Sequence, residues 1–234
     1  MLNRVLVTGG NKGIGLAVVK RFLELDYEVV VVARDFSAFP FKDNEKVTII
    51  EYDLSNLEDL KDLAAQVGEI DILINNAGYM QPVIPYDNYP VESRTKIMNV
   101  DLYAPVELMN YFSVDMKKRG YGRIVNLGSI AGQIGHPDVW YGIAKAGIIN
   151  ATKIYAKLLG ADGIVVNCIA PSPVETGMQA SNSEERKAEF KKTVVTGRFA
   201  EPEEIAEAIM WLSTDCPEYI NGITLDINNC SYPR

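Results

Sequence analysis

The stretch Arg4-Val5-Leu6-Val7-Thr8-Gly9-Gly10-Asn11-Lys12-Gly13-Ile14-Gly15 decides the fold of this chain. Its apolar half has the length of a buried strand, and residues 14–25 have the periodicity of a helix. Glycines in such a turn let the backbone approach phosphates closely, and the helix N-terminus offers free N–H groups. A plain tight turn would also use glycines, but the strand–turn–helix context favours a dinucleotide-binding loop.

The rest of the chain continues this alternation of short apolar runs and amphipathic stretches. Strands are predicted at residues 4–8, 28–33, 47–52, 71–75, 123–127, 163–169 and 223–227. Helices are predicted at residues 14–25, 56–67 (with Ser55 as N-cap), 91–119, 141–159, 183–193 and 202–213. Alternation of this kind indicates a parallel sheet with helices on both faces. We therefore expect one α/β domain over residues 1–234, a doubly wound sheet of about seven strands in order 3-2-1-4-5-6-7.

Composition narrows the class of partner. The 234 residues carry a formal net charge of -8, and such a protein repels nucleic acid and anionic lipid. Neither is therefore an expected partner. The three cysteines lack metal-ligand spacing, so no metal site is predicted. We find no targeting segment at the N-terminus and expect a cytoplasmic protein.

Arg34, directly after the second predicted strand, bears on the choice of dinucleotide. An acidic residue at that strand end would bind the ribose 2′-hydroxyl and select NAD. Ala33 occupies that position here, and Arg34 with Lys12 suits the 2′-phosphate of NADP. If Asp35 faces the ribose instead, NAD becomes the cofactor. We expect NADP(H), with NAD(H) as the alternative.

Polar and small residues also follow the third and fourth predicted strands. Asp53, which precedes Leu54, can accept a hydrogen bond from an adenine amino group, or it can simply belong to a turn. The segment Asn75-Asn76-Ala77-Gly78 ends the fourth strand, where ligands bind in sheets of this kind. We expect it to border the cofactor ribose and to brace the sheet.

Tyr141 and Lys145 share a helix face because they are four residues apart. An ammonium group near a phenol lowers the phenol pKa and prepares it for acid/base catalysis. Such a pair is common by chance, but Ser129 follows the fifth strand and can reach a substrate carbonyl oxygen. Asn99 lies six residues before Pro105, whose missing N–H bends the predicted helix. Asn99 can then hold a water in a proton relay through Lys145, or it can be an ordinary polar helix residue.

Taken in order, these motifs resemble the short-chain dehydrogenase/reductase family in its compact single-domain form, over essentially the whole chain. The resemblance implies that Tyr141 is the proton donor, Ser129 orients the carbonyl, Lys145 tunes Tyr141, and Asn99 holds a relay water. The loop Gly10-Asn11-Lys12 and the strand end Ala33-Arg34-Asp35 look like the NADP-preferring carbonyl-reductase pattern. The residues expected to contact the cofactor are Gly9, Asn11, Lys12, Gly13, Ile14, Gly15, Arg34, Asp53, Leu54, Asn75, Ala77, Gly78, Tyr141, Lys145, Pro171, Val174 and Thr176.

The chain departs from the family pattern at two places. Ser172 and Pro173 follow Pro171 where the family usually has glycine, and Asp226-Ile227-Asn228-Asn229-Cys230 replaces the more usual Asp-Gly-Gly turn near the C-terminus. The family resemblance further implies a homodimer or homotetramer that pairs the helices at 103–118 and 141–159. A polar segment at 174–195 is expected to form a lid over the substrate.

The predicted activity is reduction of a carbonyl or oxidation of a secondary alcohol. The candidate pocket residues favour a neutral, moderately hydrophobic small molecule, and they are Tyr79, Met80, Gln133, Ile134, His136, Trp140 and Met178. The alternatives are a 3-oxoacyl thioester reductase and a non-catalytic NADP-sensing protein. A basic patch for an acyl carrier protein could come from Arg186, Lys187, Lys191, Lys192 and Arg198, although these residues can also form a solvated helix face diluted by glutamates. An epimerase or dehydratase with the same Tyr and Lys is disfavoured by the glycine spacing.

Overall fold

Runs of Val, Ile and Leu form the central strands, because a strand covered by helices on both faces must be apolar throughout. The computed structural model describes residues 2–234, apart from the side chains of residues 180 and 181. Within that part of the chain, seven strands form one parallel sheet in the order β3-β2-β1-β4-β5-β6-β7, as predicted. The strands are β1 Arg4–Thr8, β2 Glu28–Ala33, β3 Val47–Glu51, β4 Ile72–Asn75, β5 Gly122–Leu127, β6 Ile164–Pro171 and β7 Thr224–Ile227.

Helices cover both faces of this sheet. They are α1 Gly13–Glu24, α2 Leu60–Val67, α3 Val91–Met98, α4 Ala104–Arg119, α5 Ala131–Ile134, α6 Val139–Leu159, α7 Glu184–Lys191 and α8 Pro202–Ser213. Helices α1 and α8 pack together on one face, where Phe22 and Ile209 are fully buried. Helices α2, α4 and α6 pack on the other face, around Leu108 and Met116.

The predicted helix at 56–67 begins later than expected, at Leu60. Side chains of the preceding residues explain the delay, because their hydrogen bonds to nearby main-chain N–H groups stabilise turns in place of a helical turn. The carboxylate of Asp53 accepts from the N–H of Ser55 at 2.9 Å, and Asn56 accepts from the N–H of Glu58 at 3.2 Å. Ser55 is therefore not the N-cap.

The long predicted helix at 91–119 contains a π-helical turn, Asn99–Tyr103, between α3 and α4. In this turn the N–H of Ala104 donates to the carbonyl of Asn99, one residue further back than in an α-helix. Pro105 has no N–H to offer the carbonyl of Asp101, and it stands in the first turn of α4, where its missing N–H is tolerated. The predicted irregularity is present, and it takes the form of a π turn.

The carboxyl ends of β1 and β4 meet at the point where the strand order reverses, which is where such sheets open a ligand crevice. Thr8 joins the two ends. Its hydroxyl accepts from the N–H groups of Asn76 and Ala77, both at 3.1 Å, and donates to the carbonyl of Ile74 at 3.3 Å. The rim of the crevice is thereby held in one geometry.

No helix among the described residues combines the length and the apolar composition that a membrane crossing requires.

Candidate active site

One elongated cavity of about 770 Å³ runs along the carboxyl edge of the sheet. The glycine loop lies at one end, and Tyr141, Lys145 and Ser129 lie at the other. The cavity therefore joins residues that are more than a hundred positions apart in the chain. Its walls include these expected cofactor residues: Gly9, Asn11, Lys12, Gly13, Ile14, Gly15, Arg34, Asp53, Leu54, Ala77, Gly78, Pro171, Val174 and Thr176.

The glycine loop has the geometry that a phosphate-binding turn needs. Gly9 adopts a left-handed φ of 66°. A Cβ on Gly15 would lie 2.3 Å from the carbonyl oxygen of Gly9, so only glycine lets helix and loop pack this closely. Helix α1 has no acidic residue in its first turn, and its N-cap Lys12 gives it no side-chain cap. Its first N–H groups can therefore bind an anion.

Four charged side chains surround the far end of this loop. The carboxylate of Asp35 accepts from the N–H and hydroxyl of Ser37 at 2.8 and 3.0 Å, and these bonds lower its pKa. It is therefore already engaged within its own turn. Arg34 makes one loose ion pair within the described chain, with Asp53 at 4.0 Å, and Lys12 makes none. Two cations without a close counter-ion face the cavity here.

Asn75 does not line the cavity, contrary to the expectation that it borders the cofactor. Its amide donates to the Asn126 side chain at 2.8 Å, and Asn126 in turn donates to Thr152 at 3.0 Å. Asn75 is 3% exposed and braces β4 against β5. The neighbouring Asn76 reaches the cavity, and its amide donates to the carbonyls of Thr8 and Gly9 at 2.9 and 3.1 Å. Asn75 is the last residue of β4, and the N–H of Asn76 donates to the carbonyl of Ile74 at 3.0 Å in a turn just past the strand, so the two side chains take different roles.

Tyr141 lies in the first turn of α6, at the edge of the cavity. The carboxylate of Asp138, the N-cap of α6, accepts from the N–H of Tyr141 at 3.2 Å and fixes the start of the helix. The hydroxyl of Tyr89 donates to the same carboxylate at about 2.9 Å, and Gln81 donates to Tyr89 at 2.6 Å. Burial and the Asp138 carboxylate raise the pKa of Tyr89 to about 12, so it remains a donor.

The pKa of the Tyr141 phenol is raised in this structure, although the sequence predicted that Lys145 would lower it. Burial is the largest cause, because it disfavours the phenolate. Lys145 and a hydrogen bond with Ser129 do lower the pKa, but the carboxylate of Asp101 raises it again. The ammonium of Lys145 lies 5.6 Å from the centre of the Tyr141 ring.

Lys145 is held by Asp101, and Asn99 does not reach it. The ammonium of Lys145 donates to the carbonyl of Leu127 at 2.9 Å and lies 3.0 Å from Oδ1 of Asp101. The side chain of Asn99 donates instead to the carbonyl of Ser55 at 2.8 Å and faces a separate shallow depression. The π turn thus brings Asp101, and not the side chain of Asn99, to Lys145. A relay water held at Asn99 stays a prediction.

The other end of the cavity holds five of the expected substrate residues, namely Tyr79, Met80, Ile134, His136 and Met178. Gln133 and Trp140 are not among the lining residues. The amide of Gln133 donates to Asp226 at 2.7 Å, and the ring of Trp140 lies under the guanidinium of Arg94 at 5.1 Å.

His136 has a defined tautomer when neutral. The N–H of Asp138 donates to its Nδ1 at 3.1 Å, so the ring proton resides on Nε2. Burial lowers the pKa of this imidazole, which favours the neutral form. Its ring packs edge-on against Tyr141, with centroids 5.3 Å apart. His136 can therefore offer an uncharged donor beside the phenol.

The expected lid segment forms one wall of the cavity through Thr176, Arg186, Lys187 and Phe190. Lys187 pairs with Glu184 at 2.7 Å, whereas Arg186 has no ion pair with any described residue. The segment leaves β6 at Ser172, whose N–H donates to the carbonyl of Ile227. The N–H of Glu175 then donates to the carbonyl of Ala200 at 2.9 Å. Ser172 and Pro173 thus continue an extended path.

The C-terminal residues fold back on β7. Arg234 donates to both carboxylate oxygens of Asp226, at 2.7 and 2.9 Å, and Gln133 donates to one of them. Asn229 and Cys230 adopt positive φ values of 44° and 65° where the family usually has glycine. Among the described residues, no cluster of His, Cys, Asp or Glu is arranged to hold a metal ion.

Comparison with known proteins assigns this architecture to a family. A family model described as Enoyl-(Acyl carrier protein) reductase matches residues 9–229. The 3-oxoacyl-acyl-carrier-protein reductase FabG of Haemophilus influenzae is 33% identical, over 97% of this chain and 97% of its own length. A solved short chain dehydrogenase/reductase family protein is 29% identical and superposes with a TM-score of 0.89, over 98% of this chain and 97% of that one. This chain belongs to the short-chain dehydrogenase/reductase family.

A further relative of this short-chain dehydrogenase/reductase is the acetoacetyl-CoA reductase of Rhizobium meliloti, which is 32% identical over 97% of both chains. The chain is accordingly an oxidoreductase that acts on carbonyl or hydroxyl groups. The resemblance expected from the sequence is confirmed for family, fold and reaction class.

Proposed function

We propose that this chain is an NADP(H)-dependent reductase or dehydrogenase that interconverts a carbonyl and a secondary alcohol with Tyr141 as general acid/base. One observation carries the proposal. Tyr141, Ser129 and Lys145 line the same cavity as a glycine loop with free helix N–H groups. A non-catalytic NADP sensor would have no need of this arrangement.

The residues present fit a dinucleotide. The close packing of Gly15 on Gly9 leaves backbone N–H groups exposed to a pyrophosphate, and Asp53 and Leu54 line the adenosine end. Arg34 and Lys12 suit a 2′-phosphate, and the engagement of Asp35 with Ser37 disfavours its use on a 2′-hydroxyl. The bound cofactor would supply or accept the hydride.

The chain supplies proton transfer and orientation. The hydroxyl of Tyr141 gives a proton to the substrate oxygen during reduction and takes it back during oxidation. Ser129 holds that oxygen by a hydrogen bond. Lys145 stabilises the phenolate that forms, and burial excludes the water that would otherwise weaken this interaction.

The substrate is a carbonyl compound or secondary alcohol with apolar surface near the reacting carbon, because Met80, Ile134 and Met178 line that end. A 3-oxoacyl thioester is the second candidate. Two relatives are named for thioester substrates, and Arg186 lines the cavity without an ion pair to any described residue. An acidic carrier protein or the phosphates of coenzyme A would match that charge.

The direct test is a titration with NADPH and NADH, followed by a substrate screen. NADPH oxidation is measured with acetoacetyl-CoA and with small neutral ketones, for the wild type and for Tyr141→Phe. We expect the variant to bind NADPH within about twofold of the wild type and to lose at least about 100-fold in kcat, because only the transferable proton is removed. Turnover retained in Tyr141→Phe would refute the mechanism.

The assembly and the compartment belong to the same proposal. We propose a homodimer or homotetramer that pairs α4 and α6, because both helices carry exposed apolar residues such as Val114, Ile154 and Leu158. We also propose the cytoplasm, where thiols stay reduced, because Cys168, Cys216 and Cys230 are all free.

A further inference from the structure

A buried ion pair lies behind the proposed catalytic tyrosine. The side chains of Asp101 and Lys145 are 0% and 3% exposed, and their charged atoms are 3.0 Å apart. No other described residue donates a hydrogen bond to Oδ1 of Asp101. Burying a carboxylate lowers the free energy of unfolding, because desolvation disfavours the charge. A carboxylate at this position therefore indicates a functional role.

Three elements converge on this pair. The N–H of Tyr79, in the loop after β4, donates to Oδ2 of Asp101 at 2.9 Å. A Cβ on Gly78 would lie 3.1 Å from Oδ1 of Asp101 and 3.8 Å from the ammonium of Lys145, so the backbone packs directly on the pair. The π turn supplies Asp101, and α6 supplies Lys145. The contacts of its ammonium with Asp101 and with the carbonyl of Leu127 thus fix the tip of the flexible Lys145 side chain.

We propose that the carboxylate of Asp101 is a positioning group that aims Lys145 and sets the pH range in which Tyr141 exchanges its proton. This inference rests on the proposed role of Tyr141. It adds a group that the sequence motifs did not include.

The charges around the phenol determine in which direction the pKa of Tyr141 changes when Asp101 loses its charge. Burial is the largest cause of the raised pKa of Tyr141; the ammonium of Lys145 lowers that pKa, and the carboxylate of Asp101 opposes Lys145 and raises it. The pKa of Lys145 is raised too, because Asp101 and Tyr141 outweigh the effect of burial. Removing the carboxylate charge therefore makes either group release its proton at lower pH.

The other groups that face the site do not replace this charge. The carboxylate of Asp138 is bound by Tyr89 and by the N–H of Tyr141. Burial raises the pKa of the Cys168 thiol, beside Lys145, to about 11, so the thiol is neutral. Burial lowers the pKa of the His136 imidazole, which favours its neutral form, and Ser129 carries no charge.

The test compares Asp101→Asn, which is isosteric and uncharged, with Asp101→Glu, which keeps the charge. The pH dependence of kcat/KM is measured in the oxidation direction, where the deprotonated form is active. We expect the acid limb to move down by about one pH unit or more in Asp101→Asn and to stay near the wild-type position in Asp101→Glu. Asp162→Asn removes a carboxylate that pairs with Lys117 outside the cavity, and it serves as the matched control.

If the acid limb of the kcat/KM profile of a folded Asp101→Asn enzyme lies at the same pH as in the wild type, the proposal is wrong, whatever the change in kcat. Thermal unfolding and NADPH titration establish that the variant is folded. If Asp101→Asn does not fold, Asp101→Ser removes the charge with a smaller side chain and is expected to show the same shift.

A separate result identifies failure of the proposed function. In that case the wild type shows no turnover, or its turnover is unchanged by Tyr141→Phe. The inference is then tested by ultraviolet titration of the phenolate, taken as the difference between enzymes with and without Tyr141→Phe. A lower Tyr141 pKa in the Asp101→Asn background supports the proposal, and an unchanged pKa refutes it.

Discussion

Arg34 stands at the end of β2, and its nearest counter-ion, Asp53, is 4.0 Å away. Its side chain is 55% exposed. If Arg34 were only a surface charge, its removal would leave cofactor binding unchanged. A role on the 2′-phosphate would instead contribute charge-assisted hydrogen bonds, each worth about 1.5–3 kcal/mol.

We expect Arg34→Ala to weaken NADPH binding about 10- to 100-fold and NADH binding less than about threefold. Fluorescence titration of both cofactors measures the difference. Arg21→Ala is the matched control, because Arg21 pairs with Glu24 and Glu207 outside the cavity. Equal losses for the two cofactors would show that Arg34 does not contact the 2′-phosphate.

Helix α8 depends on a capping box at its N-terminus. The carboxylate of Glu204 accepts from the N–H of Glu201 at 2.8 Å and from both ends of the Arg198 guanidinium at 2.7 and 2.8 Å. These bonds lower the pKa of Glu204 to about 2. A carboxyl group with a depressed folded pKa stabilises the fold above its unfolded pKa and loses that effect as pH falls.

We expect Glu204→Gln to lower the free energy of unfolding by up to about 1 kcal/mol at neutral pH, through loss of the charge, because the amide oxygen can still cap the helix and solvent screens the exposed ion pair. The difference from the wild type should shrink as pH falls from the ordinary value of 4.5 toward about 2. Urea unfolding at several pH values measures it. Glu203→Gln, in the same turn, removes a charge without the cap bond and should have little effect; a pH-independent difference for Glu204→Gln would contradict the account.

At the scale of the whole molecule, the outer faces of α4 and α6 carry apolar side chains that the single chain leaves exposed. On α6, Ile143, Ile154 and Leu158 are 46%, 49% and 62% exposed, and Val114 on α4 is 53% exposed. Exposed apolar side chains on two neighbouring helices are typical of an interface between subunits.

We expect the double variant Ile154→Asp with Leu158→Asp to dissociate the oligomer, because a carboxylate cannot be buried there without a partner. Light scattering after size-exclusion chromatography reports the mass. Val195→Asp, at a residue that is 79% exposed and outside these helices, is the control. A wild type that is monomeric at the same concentration, or a variant that keeps the wild-type mass, would refute the interface.

The sequence by itself determined the sheet order, the family and the two ends of the cavity. Those features depend on local patterns: Val- and Ile-rich runs, a glycine turn before a helix, and Tyr141 one helical turn from Lys145. Only the tertiary structure decided which polar neighbour reaches the site. Asn76 rather than Asn75 lines the cavity, because Asn75 ends β4 with its side chain bonded to Asn126, whereas Asn76 lies in the turn that follows. Asp101 meets Lys145 because the π turn Asn99–Tyr103 packs against α6, and no local pattern of charge or hydropathy records that packing.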